Sequence, residues 1–198
     1  MSRLDAPATH RNRDVLLAAL RPLLPARGLV LEVASGTGQH CAVLAEALPT
    51  LDFQPSEPRE EGRASIAAWC EGLARVRPPL DLDVARLPWP IAHADAVLCV
   101  NMIHIAPWAA AEGLFAGAAR VLPPGAPLLL YGPFRRGGLH TAPSNAEFDA
   151  GLRAEDPAWG VRDLEGEVTP LAARHGFGLP EVTPMPANNL LVAFRRAA

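Results

Sequence analysis

Three carboxylates and a pair of glycines fall at or near the ends of strand-like runs, where an α/β sheet places its ligands. In GLVLEVASGTGQH, which begins at Gly28, a strand-forming run carries Glu32 near its end. Gly36 and Gly38 follow it, and a helical pattern opens near Gln39. Glycines at such a turn let backbone amides approach a ligand closely, and the helix that follows aims its free N–H groups at the same spot. Three readings compete: a phosphate cradle for a dinucleotide, a pocket for an adenosyl sulfonium, or a tight turn that holds nothing. The dinucleotide pattern G-x-G-x-x-G lacks its last glycine, because Cys41 stands there. A phosphate loop ending in Gly-Lys-Ser/Thr is excluded, since all 18 basic residues are Arg.

Glu32 would be an expensive solitary charge in a buried strand unless it met a cation or N–H donors. An adenosyl sulfonium cofactor offers an α-ammonium group; the alternative is a carboxylate that caps turn amides. Glu57 ends the second strand, 25 residues beyond Glu32, where a carboxylate can accept both hydroxyls of a ribose. Its rival role is a surface acid in the EPREE run. Asp83, at the end of the third predicted strand, could accept from an adenine amino group or be a turn aspartate.

A second group follows the fourth strand, in CVNMIHIAPW. His104 is the candidate general base and Asn101 the candidate orienting group for cofactor or acceptor; a capping or core histidine is the alternative. Tyr131 and Phe134, at the end of the fifth strand, are expected at the same mouth. Phe148, Asp149, Trp159, Arg162 and Asp163 lie in a long irregular stretch that could cover a small acceptor, although Phe148 and Trp159 could equally staple that stretch to the sheet. Arg11 and Asn12 could close over a cofactor carboxylate, or belong to a solvated arm. No metal-ligand spacing is present, and VNMIH lacks the Asn-Pro-Pro-Tyr type signature of enzymes that methylate nucleic-acid amino groups.

The elements that must position these residues alternate. A helix is expected over NRDVLLAALRPLLP, then strands at LVLEV, LDFQPSEP, PLDLDV, ADAVLCVNMIH and APLLLYGPF, with helices at QHCAVLAEALP, GRASIAAWCEGLARV and AAAEGLFAGAARVL. Strands alternating with helices imply right-handed crossovers and a doubly wound sheet. Residues 135–165 break the pattern and carry a helical piece at NAEFDAGLRAE. A helix at VTPLAARHG and two strands, LPEVTPMP and NLLVAFRR, then pair antiparallel at the sheet edge.

With 198 residues, 49% of them hydrophobic, the chain can bury one full core, so a single domain is expected over residues 1–198, with an N-terminal arm and helix at 1–25 and a lid at 135–165. Its 18 basic and 21 acidic residues are scattered, giving a formal net charge of -3 and no basic stripe for nucleic acid. The absence of lysine removes amine nucleophiles and Schiff bases. Cys41, Cys70 and Cys99 read as buried thiols of a reducing compartment. No signal peptide or membrane span is apparent, and a cytoplasmic location is expected.

The segments LEVASGTGQH, FQPSE, LDLDV, VNMIHIAPW, LLLYGPF, SNAEFDAGLRAEDPAWGVRD and PMPANNLLVAFRR together resemble the class I S-adenosylmethionine-dependent methyltransferase-like proteins first catalogued as a domain of unknown function, a group that includes animal methyltransferase-like protein twenty-six. The resemblance implies a Rossmann-like α/β fold with helices on both faces of a seven-stranded, mostly parallel sheet of order 3-2-1-4-5-7-6, strand 7 antiparallel. It implies cofactor contacts from the turn at Ala34, Ser35, Gly36 and Gly38, ribose contact at Glu57, and adenine contact near Asp83 and Val84. Glu57 stands where Asp looks usual, and RRGGLHTAP is locally altered. The expected activity is methyl transfer from S-adenosylmethionine to a small molecule. The other readings are a non-catalytic binding protein for S-adenosylmethionine or a nucleoside, and a nicotinamide-dependent oxidoreductase, which the missing third glycine disfavours.

Overall fold

Alternating side chains along continuous apolar runs give this protein a sheet that is buried on both faces. The computed structural model describes residues 3–198. Its strands are β1 (Gly28–Val33), β2 (Leu51–Pro55), β3 (Ala96–Val100), β4 (Pro127–Gly132), a short hairpin of β5 (Arg135–Arg136) and β6 (Leu139–His140), β7 (Glu181–Met185) and β8 (Asn189–Arg195). The helices are α1 (Pro7–Leu20), α2 (Gln39–Ala47), α3 (Glu60–Trp69), α4 (Trp108–Val121), α5 (Pro143–Glu155) and α6 (Thr169–Arg174), with one π-helical turn at Leu164–Val168.

Six strands form the main sheet in the order β2-β1-β3-β4-β8-β7. The first four are parallel, and β8 runs antiparallel to both β4 and β7. Seven strands were expected, so the order differs by its missing first member: PLDLDV is not a strand. Leu80 makes one isolated bridge to Ser56, and Val76 another to Phe53. Pro78 and Pro79 stand between them, and without N–H groups they cannot continue a ladder.

Period-two alternation divides the core. Leu31, Val97, Leu128 and Val192 face a cluster that includes Leu114, Phe115 and Phe177. Val30, Leu98, Leu129 and Leu191 face the opposite cluster, with Leu16, Leu20, Leu44 and Ile66. Helices therefore cover both sides.

Two details of the fold serve the site. Helix α1 starts at Pro7, five residues before the Asn12 start expected from its pattern, with proline at its first turn. The preceding residues are tied down rather than solvated: Leu4 N–H donates to Ser65 Oγ, Ala6 N–H to Gln39 Oε1, and Trp69 Nε1–H to the Leu4 carbonyl. On α4, a Cβ at Gly113 would lie 2.3 Å from the Val84 carbonyl oxygen. Glycine there lets the Asp83–Val84 connection lie directly on the helix.

Candidate functional site

The turn after β1 is held open by its backbone. Ala34, Gly36 and Gly38 have φ of 51°, 57° and 90°. Nothing lies within 4 Å of where a Gly36 Cβ would stand, whereas one on Gly38 would meet Ile66 Cα at 2.6 Å. Gly38 is thus required by packing, and Gly36 faces open space. No side chain caps the first turn of α2, so its N–H groups stay available at this turn. Ser35 Oγ–H donates to the Glu32 carbonyl, as does Ser56 Oγ–H, which fixes the ends of β1 and β2 together.

Glu32 is buried, and its Oε2 has no hydrogen-bond partner among the described residues. Burial pushes its carboxyl up to about 7, against a smaller opposing effect of a Ser35 hydrogen bond. An orphaned carboxylate oxygen of this kind fits a cationic ligand group. Glu57 is also buried, and accepts from Gly36 N–H at 3.2 Å and from Arg59 Nε–H at 2.8 Å. Arg59 is largely exposed on its outer side, so the pair sits at the surface edge of the turn. A Cβ on Gly62 would lie 2.5 Å from Glu57 Cγ, which explains a glycine in the first turn of α3.

Beside this turn lies a cavity of about 350 Å³. Ala34, Pro58, Leu82, Met102 and Ala110 supply apolar walls, and Asp83 and Val84 line it as well. Asp83 already accepts from Ala85 N–H at 3.0 Å and pairs with Arg86 at 3.1 Å. An apolar cavity with one carboxylate in its lining suits a purine base.

A second cavity, of about 340 Å³, opens on the β3 side. Asn101, His104, Asn145, Phe148 and Asn189 line it with Ile105 and Pro133. Asn101 has φ of 56°, a left-handed conformation that asparagine tolerates, and its N–H donates to the Tyr131 carbonyl. His104 is 3% exposed, and its ring meets Phe148 edge-on at 5.8 Å. Burial, and secondarily the Arg162 charge, push it down to about 4. A Cβ on Gly132 would lie 2.8 Å from His104 Cε1, so the end of β4 forms the floor under this ring. A smaller adjoining cavity of about 180 Å³ is lined by Arg11, Asn12, Asn101 and Tyr131, among others.

The candidate residues therefore separate. Ala34, Asp83 and Val84 line the first cavity, with Glu32 near the end of β1 and Glu57 just beyond β2, whereas Asn101, His104, Phe148, Tyr131, Arg11 and Asn12 line the two cavities around the end of β3. Phe134 is not at the mouth: it is 1% exposed, inside the core cluster on the α4 side. Arg162 and Asp149 brace the site from behind. Arg162 Nε–H donates to the Ile103 carbonyl and Nη2–H to that of Ala106, with its guanidinium over Trp108, while Asp149 accepts from Val161 N–H at 2.6 Å. Asp163 caps the π-helical turn through Gly166 N–H. Trp159 is half-buried, beside the Gly160 N–H that donates to the His104 carbonyl.

Sequence reasoning missed three contributors. Asn145 and Asn189 reach the second cavity from α5 and β8, and His40 Nε2–H donates to Asn12 Oδ1 at 2.8 Å, tying α2 to α1. Only the helical pattern of NAEFDAGLRAE hinted at Asn145.

Solved structures of similar fold include methyltransferases. The apo S-adenosylmethionine-dependent methyltransferase SibL is 22% identical with a TM-score of 0.79 over 96% of this chain. Human N-acetylserotonin methyltransferase in complex with S-adenosylmethionine is 12% identical, with a TM-score of 0.81 over 96%. This chain spans 56% and 53% of those two chains, respectively. A putative methyltransferase from Bacillus halodurans C-125 is 16% identical with a TM-score of 0.72, covering 92% of this chain and 99% of its own. At these identities the likeness shows the fold: α/β, of the class I methyltransferase type. The model of a family described as proteins of unknown function, DUF938, matches residues 3–196, and the chain belongs to that family.

Proposed function

We propose that this protein is an S-adenosylmethionine-dependent methyltransferase that acts on a small-molecule acceptor. The observation that carries the reading is the buried, unpartnered Glu32 Oε2 near the end of β1, the strand that runs into the turn whose Gly36 faces open space. Glu32 would hold the cofactor's ammonium group, Glu57 its ribose hydroxyls, and Asp83 with Val84 its adenine. When bound, that cofactor supplies a methyl group on a sulfonium, which leaves with its bonding electrons remaining on sulfur. The turn at 34–38 orients the ligand through backbone N–H groups. His104 and Asn101 hold the acceptor in the second cavity, and Phe148 excludes water there. His104 is neutral at physiological pH and receives the acceptor's proton only weakly, so its contribution is chiefly placement.

That weak basicity also favours a second reading, a non-catalytic protein that binds S-adenosylmethionine or a nucleoside. On this reading the chain is kin to the group containing methyltransferase-like protein twenty-six and forms a single domain in which residues 135–165 wall the acceptor side through Asn145 and Phe148. Three buried free cysteines suit a reducing, cytoplasmic setting. No helix among the described residues is long and apolar enough to cross a membrane.

Calorimetric titration with S-adenosylhomocysteine tests the cofactor assignment. Wild-type protein is expected to bind, and Glu57→Ala to lose about tenfold or more in affinity, the range for hydrogen bonds to a charged group. Absence of binding at millimolar ligand refutes the reading. If ligand binds but no labelled methyl reaches any component of a metabolite extract, the non-catalytic reading takes its place.

A further inference from the structure

The second cavity is mostly apolar, and the polar groups that line it are uncharged. Its polar lining is three carboxamides, Asn101, Asn145 and Asn189, with the His104 imidazole; among the described residues no carboxylate, guanidinium or ammonium lines it. An ionised acceptor would shed its hydration there and meet no countercharge in the lining itself. Carboxylic acids and aliphatic amines, both ionised near neutral pH, are disfavoured on that ground. His104 lines the cavity although it is only 3% exposed. A neutral imidazole can accept from a hydroxyl, and the carboxamides can both donate to and accept from one. A thiol would meet these groups poorly. Phe148 adds a flat wall at 5.8 Å from His104, and with Ile105 it leaves an apolar rim, each 43% exposed.

We propose, resting on the methyltransferase reading, that this cavity takes a small uncharged aromatic acceptor through its phenolic hydroxyl, with the oxygen at His104 and the ring against Phe148. O-methylation leaves one proton to dispose of, that of the hydroxyl, and it passes through His104 to water. Burial and Arg162 lower His104 to about 4, so it draws that proton weakly. A phenol, which ionises near 10 as tyrosine does, parts with its proton far more readily than an aliphatic alcohol. The acidity of the acceptor therefore replaces the strength of the base.

The test uses the full-length protein. With S-adenosylhomocysteine saturating, calorimetry follows binding of 4-ethylphenol, 4-hydroxybenzoate (anionic) and tyramine (cationic). With S-adenosylmethionine, label transfer to 4-ethylphenol is compared with transfer to cyclohexylmethanol. 4-Ethylphenol should bind about tenfold or more tightly than either charged phenol, and should be methylated while the alcohol is not. Ile105 is exposed at the rim, so charges there are tolerated by the fold. Ile105→Arg should shift the preference about tenfold toward 4-hydroxybenzoate, and Ile105→Glu by a similar factor toward tyramine. If S-adenosylhomocysteine binds but charged phenols or the alcohol match 4-ethylphenol, or no phenol binds at millimolar concentration, the acceptor class is wrong and the methyltransferase reading stands. If S-adenosylhomocysteine itself fails to bind, that reading falls and takes this one with it.

Discussion

Ligand binding at Glu32 should expel a proton. In the free protein burial holds the Glu32 carboxyl at about 7, well above its ordinary 4.5. At pH 6 about 0.9 of the molecules therefore carry that proton. A ligand ammonium group set against the orphaned Oε2 would return the carboxyl to its ordinary range, so about 0.9 proton should leave per S-adenosylhomocysteine bound at pH 6. The same linkage makes affinity rise about 15-fold, or about 1.6 kcal/mol, between pH 5.5 and 7. His40 and His104, both held near 4 by burial, are already neutral over that interval and contribute almost nothing to it. The assay is calorimetry at pH 6 in two buffers of different ionisation enthalpy, repeated across the pH range. Glu32→Gln keeps the shape and removes the titration, so its affinity should be lower at pH 7 and flat with pH. Wild-type binding with no proton release, or the same slope in Glu32→Gln, would refute the reasoning. The free protein supplies an independent check on sign. A raised carboxyl stabilises the fold below 4.5 and loses that contribution as pH rises through 7, so Glu32→Gln should be the more stable protein at pH 8, by an amount on the order of 3 kcal/mol at most.

The two depressed histidines act in the opposite direction. Their contribution is complete above 6.5 and is lost as pH falls toward 4, so urea midpoints should drop over that window, on the order of 3 kcal/mol per histidine, and His40→Asn or His104→Asn should each flatten the drop. Gly132→Ala, with φ of 156° and His104 Cε1 only 2.8 Å from the new Cβ, should displace the imidazole: methyl transfer should fall at least tenfold while S-adenosylhomocysteine affinity stays within about twofold. Phe115 is fully buried, edge-on to Phe177 and Phe194, and Phe115→Ala should lower unfolding free energy by about 3–5 kcal/mol in chemical denaturation.

Much of the sheet was legible because its strands are apolar on both faces, and a run such as AVLCV has few other uses. The third strand misled because LDLDV alternates well, yet Pro78 and Pro79 remove the donors that an edge ladder needs. Helix α1 was placed late because its buried stripe begins only near Leu16, and Ala6 gives no capping signal. The β5–β6 hairpin carried a readable sign, Gly137–Gly138, both at positive φ. In the site, the carboxylates and glycines could be located because strand ends are predictable places. Asn145 and Asn189 could not, since they converge on His104 from elements far apart in sequence. Phe134 is expected at the mouth from its place at the end of the fifth strand, and Arg162 over the acceptor from the mixed aromatic and charged stretch it lies in; where their side chains point is decided by packing on α4 and on the Ile103 and Ala106 carbonyls.

The position of β8 sets the order in which this molecule can be completed. It comes later in the chain than every other described strand, yet it lies inside the sheet, paired with β4 on one side and β7 on the other. Until it is made, β4 presents an unpaired edge, and Asn189 is missing from the acceptor cavity. A nascent chain emerging from the ribosome can therefore build the Glu32 and Glu57 half of the cleft well before the His104 half is finished. During synthesis the exposed β4 edge is the point at which aggregation or chaperone capture would compete with folding.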